Sequence, residues 1–284
     1  MMPYIVLAIY LLVSLALQFL AGDFPLSLFA FPLNLIVAII WLSSCMWLWK
    51  GMPKSMFVRF MLTPAATFWS IFLFIDACVV VGLTGNRGLT VTWPFIAIVL
   101  FLMTVLLFVI FRGYREKTAT GARLGAIRWR FLMNHMGLLL ALGFGFWGAP
   151  DSETMLVKAF EGVPVKEAYC PGVGVLGIKN ELILNDFILQ RHDNGTPSLY
   201  EADLFVDNKP VRLKVNHPYS LSFGKDLYLV GYDTAAGEES EYCVMQIVDE
   251  PWRYGAFAGV IMMLLGALLL FLQGPRRNSS GIDD

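Results

Sequence analysis

The sequence is poor in charge: only 15% of its 284 residues are Asp, Glu, Lys or Arg, against about a quarter in an ordinary soluble domain. The shortfall is uneven. Apolar residues gather into runs about as long as a bilayer is thick, which excludes a wholly soluble chain. Cysteine motifs are lacking too. Cys45, Cys78, Cys170 and Cys243 make no C-x-x-C, no C-x-x-C-H and no Cys/His zinc spacing. The chain therefore carries no covalent c-type haem of its own and no thioredoxin-like redox pair. A net charge of −1 gives no global attraction for nucleic acid. No Ser/His/Asp order, Gly-rich phosphate loop or paired-carboxylate motif stands out, and Gly172-Val-Gly174 reads as a turn.

What is present is a set of six apolar spans. They run from about Tyr4 to Leu20, Leu26 to Trp49, Leu62 to Leu83, Trp93 to Phe111, Phe131 to Trp147 and Tyr254 to Leu272. No basic region precedes the first and further spans follow at once, so it reads as a retained helix rather than a signal peptide. Trp47, Trp49, Trp93, Trp129, Trp147, Trp252 and Tyr254 mark the span ends, as in an interfacial aromatic belt.

Basic residues orient the spans. Lys50, Lys54 and Arg59 follow span two, and Arg112, Arg115, Lys117, Arg123, Arg128 and Arg130 follow span four. Arg276 and Arg277 lie in the tail, whereas the alternate short loops hold only Arg87. Both termini are therefore expected in the cytoplasm of a bacterial inner membrane. The long polar stretch 149–253 falls on the periplasmic side. Glu181 to Leu189, Ala202 to Val206, Val211 to Val215, Asp226 to Tyr232 and Glu241 to Val248 read as strands. Turn clusters separate them at 192–197, 207–210 and 233–239. The expected architecture is an integral membrane α-helical bundle with an external all-β domain, a small sandwich or barrel, inserted before the last span. Its parts are a five-span domain (1–148), a β domain (149–253), a final helix (254–273) and a cytoplasmic tail (274–284).

Gly137, Ala141 and Gly145 in span five, and Gly255 and Gly259 in span six, recur at four-residue spacing, which lets helices approach closely. His135 is the one histidine inside a span, roughly 6 Å from its basic border at the helical rise per residue. Either it hydrogen-bonds to a neighbouring helix, or it serves as a haem ligand or proton relay. Asp76 is the second intramembrane ionisable group, open to pairing within the bundle or to lining a polar path. Asn34 reads as interhelical hydrogen bonding, and Cys45 and Cys78 as packing residues. Cys170 and Cys243 are either a disulfide or two unpaired buried thiols. His192 and His217 read as solvated loop histidines.

The run Arg128-Trp-Arg-Phe-Leu-x-Asn-His135-x-Gly-Leu138 resembles the helix that enters the outer domain in ResB-type cytochrome c biogenesis proteins. Asn185-Asp-Phe187, Asp193-Asn-Gly-Thr-Pro197, Tyr200-Glu-Ala-Asp-Leu204, Val215-Asn-His-Pro218 with Gly224 and Leu227-Tyr228, and Asp249-Glu-Pro251 are similar to that family's later motifs. The likeness covers about Arg128 to Gln273, and the N-terminal half departs from it by holding more spans. The resemblance implies a subunit of the haem-handling pathway called system II. It would act with a Trp-rich CcsA-type partner, deliver haem across the membrane and attach it to apocytochrome c. It implies non-covalent haem as the cofactor, His135 as an axial ligand and no other metal. Whether such a subunit is itself an enzyme or an accessory of a holocytochrome c synthase stays open. A proton-coupled transporter subunit using Asp76 and His135, and an anchored periplasmic scaffold, are the rival classes.

Overall fold

The computed structural model describes residues 2–119, 129–194 and 197–273. It divides into two units, residues 1–150 with 254–284 and residues 151–253. The basic residues Arg123 and Arg128 and the tail 274–284 with Arg276 and Arg277 lie outside the described residues, as does part of the turn at 192–197.

The first unit is helical. Its helices are α1 (Met2–Ala21), α2 (Leu33–Gly51), α3 (Met56–Met61), α4 (Pro64–Thr84), α5 (Trp93–Ala119), α6 (Trp129–Gly148) and α7 (Arg253–Gln273). Six of the seven are long and apolar enough to cross a membrane. α2 starts at Leu33 rather than Leu26, because Pro25 and Pro32 break the run and Leu26–Phe29 forms only a short 3₁₀ turn. α3 is a short helix in the basic stretch between span two and span three. Ser55 caps it by accepting from Val58 N, and Val58, Phe60 and Met61 are buried. Thr63 accepts from Ala66 N, and Pro64 opens α4, a favourable combination at a helix start.

α5 is the central helix. Phe101, Met103, Val105, Leu107 and Phe108 on all its sides are buried. Its neighbours bind it through polar side chains: Tyr10 donates to Ala97 O (2.9 Å), and Trp41 Nε1 donates to Thr104 Oγ1 (3.2 Å). Asn34, fully buried, donates to Trp147 O at 2.7 Å and so ties α2 to α6, the interhelical role expected of it. α6 and α7 meet through glycines. A Cβ on Gly137 would stand 2.7 Å from Gly259 O and 2.8 Å from Met263 N. Only glycine permits that approach. Gly145, third in the series, meets nothing within 4 Å and takes no part.

The second unit is one eight-stranded antiparallel sheet. Its strands are β1 (Glu153–Phe160), β2 (Pro164–Cys170), β3 (Gly174–Arg191), β4 (Pro197–Val206), β5 (Lys209–Lys214), β6 (Tyr219–Ser222), β7 (Lys225–Tyr232) and β8 (Tyr242–Asp249), in the order β5-β4-β3-β2-β1-β8-β7-β6. Sequence patterning missed β1, β2 and β6. The first two carry Lys158, Lys166 and Glu167 among their apolar residues, and β6 has only four. The sheet must roll. Flat, eight strands would part the edges by about 34 Å at the usual strand spacing. Five chain steps from Lys214 to Tyr219 reach only about 18 Å. Inside the roll, alternate residues of β1, β2, β3, β4, β5, β7 and β8 form one core, with Val157, Leu182, Leu184, Leu213, Leu227 and Met245 fully buried. In β3 the alternation slips from Leu184 to Phe187, where a bulge lies between Leu184 and Asp186.

Candidate functional site

His135 lies on α6, one turn after Phe131, so the two rings share a helix face and meet at 4.0 Å between centroids, tilted by 30°. Its Nδ1 lies 2.9 Å from Phe131 O. A main-chain carbonyl only accepts, so this nitrogen carries the proton and donates. The Nε2 lone pair is then left for another group, and no partner for it exists among the described residues. An imidazole held this way, with one N–H on a carbonyl and the other nitrogen open, is how proteins present histidine to a metal. The residues present therefore fit an axial ligand for haem iron. Among the described residues no three His, Cys, Asp or Glu side chains cluster as a metal site.

The structure does not bring the other candidates to His135. Asp76 is exposed on α4 and makes no hydrogen bond or ion pair among the described residues, so it does not pair within the bundle. Two apolar cavities lie in the helical unit. One of about 330 Å³ is lined by Tyr10, Cys45, Phe60 and Phe101, and one of about 580 Å³ by Phe24, Phe74, Trp93 and Phe146. His135 lines neither. His192 and His217 are exposed, as expected. Cys45 is buried, as a packing residue should be, but Cys78 is exposed.

Cys170 and Cys243 are free thiols, and the disulfide reading is corrected. Cys170 lies on β2 and Cys243 on β8, with β1 between them. Two strand spacings alone come to about 10 Å, beyond the roughly 7 Å a disulfide spans between Cα atoms. Both are buried in the sheet core. Burial pushes the Cys243 thiol up to about 12. Burial and then the Glu153 carboxylate, on which Cys170 Sγ donates at 3.4 Å, push the Cys170 thiol up as well. Neither is a nucleophile at neutral pH.

The motifs that carried the resemblance turn out to build the sheet. Tyr200, Ala202 and Leu204 face its core; Phe187 stacks on Tyr232, and Tyr200 meets the same ring at a tilt of 52°. Between them Glu201 pairs with Lys214 at 2.8 Å, and Asp203 takes a two-pronged bond from Arg212 at 2.7 and 2.8 Å. Arg212 first, as donor and then as a charge, holds the Asp203 carboxyl below its ordinary range. Asn216 adopts φ +63°, the left-handed region that Asn tolerates, in the turn that joins the sheet's two edges. Gly224 has φ +76°, and a Cβ there would fall 2.7 Å from Pro251 Cα. Asp226 accepts from Arg253, and that bond holds its carboxyl below the usual range. Trp252 Nε1 donates to Asp151 Oδ2 at 2.6 Å. Of the motif residues inside the long apolar helices, His135 presents a ring nitrogen with no partner among the described residues.

The model of the ResB-like family matches residues 107–241, from the C-terminal part of α5 to the residue before β8, and the match is consistent with a ResB-type protein. The match points to involvement in cytochrome c biogenesis. Asp249-Glu-Pro251 and α7 lie beyond the matched stretch. No curated protein matches the chain.

Proposed function

We propose that this chain is the ResB-type subunit of a system II cytochrome c assembly machine. It takes part in delivering haem across the bacterial inner membrane and in attaching it to apocytochrome c, together with a CcsA-type partner. The six long apolar helices cross the bilayer with both termini in the cytoplasm, and the rolled sheet stands in the periplasm. The observation that carries the reading is His135: a ring fixed by the Phe131 carbonyl, with Nε2 open, in a helix within the family match. His135 would bind haem iron non-covalently and transiently, as an axial ligand. Haem supplies the vinyl groups that the apocytochrome thiols add to. The chain's own share is to hold and orient it until transfer.

The test is His135→Ala in full-length protein expressed with its partner. Membrane levels should stay normal, since the helix becomes more apolar. Co-purifying haem, read as the Soret band, and mature c-type cytochromes should both fall severely. Added imidazole should partly restore them by filling the vacated coordination position. Normal haem loading in His135→Ala would make the histidine a packing residue and sink the ligand role.

A further inference from the structure

Several polar side chains in the apolar helices find partners inside the chain. Tyr10 donates to Ala97 O, Asn34 to Trp147 O, Ser70 to Thr67 O, Thr104 to Leu100 O and Asn134 to Arg130 O. Asp76 differs from these in carrying a carboxyl group. It sits near the middle of α4, is exposed, and bonds to nothing among the described residues. The surface around it is apolar: Phe72, Ile75, Val79 and Val80 are all exposed, and Leu83 beyond them is 84% exposed. A carboxyl at this depth faces hydrocarbon on an otherwise lipid-like surface. That arrangement is costly and is retained when something outside the chain meets the charge.

We propose that this face of α4 docks a membrane-spanning helix of a different protein, one that carries a single Lys or Arg near the bilayer midplane, and that Asp76 pairs with that cation. The sign follows from the carboxylate. Among the described residues, a second copy of this chain offers no basic residue at the middle of a long apolar helix. Lys50, Arg59, Arg130 and Arg253 stand at or near helix ends, and Arg112 stands at the end of the apolar part of α5. The same face offers aromatic rings to the cation's approach. Phe72 lies one turn before Asp76 and Phe68 two turns before, with their rings stacked at 5.9 Å and 12°. A cation beside Asp76 would lie near ring faces that also favour it.

The experiment uses full-length protein in phosphatidylcholine vesicles with labelled poly-leucine spanning peptides whose central residue is Lys, Leu or Glu. Energy transfer from peptide to protein reads association. The Lys peptide should bind about tenfold more tightly than the Leu peptide, the scale of one interhelical polar contact. Asp76→Asn should remove most of that preference, and Asp76→Lys should transfer it to the Glu peptide. Equal binding of the Lys and Leu peptides to the natural protein overturns the proposal, as does a preference that survives Asp76→Asn. Asp76-dependent self-association without any peptide also overturns it, because it would mean two carboxyls sharing a proton between copies. The haem content of Asp76→Asn, measured on the same preparation, tests the His135 reading separately.

Discussion

Leucines in the two units meet opposite surroundings. Leu182, Leu184, Leu204, Leu213 and Leu227 in the sheet are at most 2% exposed, whereas Leu264 and Leu272 of α7 are 61% and 70% exposed. In the sheet an apolar residue marks the inside and its polar neighbour the outside, so alternation carries the fold. In the helices nearly every position is apolar, inside or out, and hydrophobicity says nothing about which way a residue faces. There the facing is set by the minority residues: small ones where backbones meet, and polar ones where a partner waits.

The largest effect should come from breaking the sheet's inside. Leu184→Ala should cost the domain about 2–5 kcal/mol, the range for a buried leucine that leaves a cavity. Leu264→Ala on the exposed side of α7 should cost under about 0.5 kcal/mol, as at other exposed positions. Chemical denaturation followed by domain and helix signals reads both. Equal losses at the two sites would erase the contrast.

A smaller effect follows from the Asp226–Arg253 bond. The folded domain favours ionised Asp226, so the bond's contribution is complete above the ordinary carboxyl range and is lost as pH falls through the lowered folded value. Asp226→Asn should cost about 1.5–3 kcal/mol at neutral pH, the value of a charged hydrogen bond. It should also flatten the acid limb of a stability–pH curve. An unchanged acid limb would show that the pair contributes nothing.

The smallest of the three concerns the glycine contact of α6 and α7. Gly259→Ala places a methyl 2.6 Å from Gly137 O, and the backbones must part. The expected loss is about 1–3 kcal/mol, the cost of overpacking. It would be read as a lowered melting temperature in detergent, with the isothermal sheet signal unchanged. Gly145→Ala, which meets nothing, serves as the neutral comparison.

These contrasts explain what the sequence made legible. Six long apolar runs and their small-residue spacing needed only composition, so the spans and the α6–α7 contact could be read directly. Strands β3, β4, β5, β7 and β8 announced themselves by branched and aromatic residues. β1 and β2 did not, because their outward positions hold Lys158, Lys166 and Glu167, and only the register with β8 and β3 explains them. The free thiols depend on which strands are neighbours, a non-local fact that cysteine spacing cannot carry. His135 was visible as an ionisable group in an apolar run. The carbonyl that fixes its ring follows from its four-residue distance to Phe131, but the openness of Nε2 does not. Likewise Asp76 could be placed at mid-helix, but not on an outward face, since all its neighbours are apolar on every side.

The place of β8 in the sheet has a consequence for biosynthesis. β8 is the last strand to be made, yet it lies between β1 and β7 and joins the earlier five strands to the later two. Its ladder with β1 runs from Glu153–Asp249 to Phe160–Tyr242. Until the ribosome has passed Asp249, the flank of β1 away from β2 stays unpaired, an open edge of the kind that invites association with other chains. α7 begins only a few residues later, at Arg253. Completion of the sheet and arrival of the final helix are therefore nearly simultaneous. A chain stopped short of β8 lacks both the long apolar helix α7 and the seam that closes its sheet.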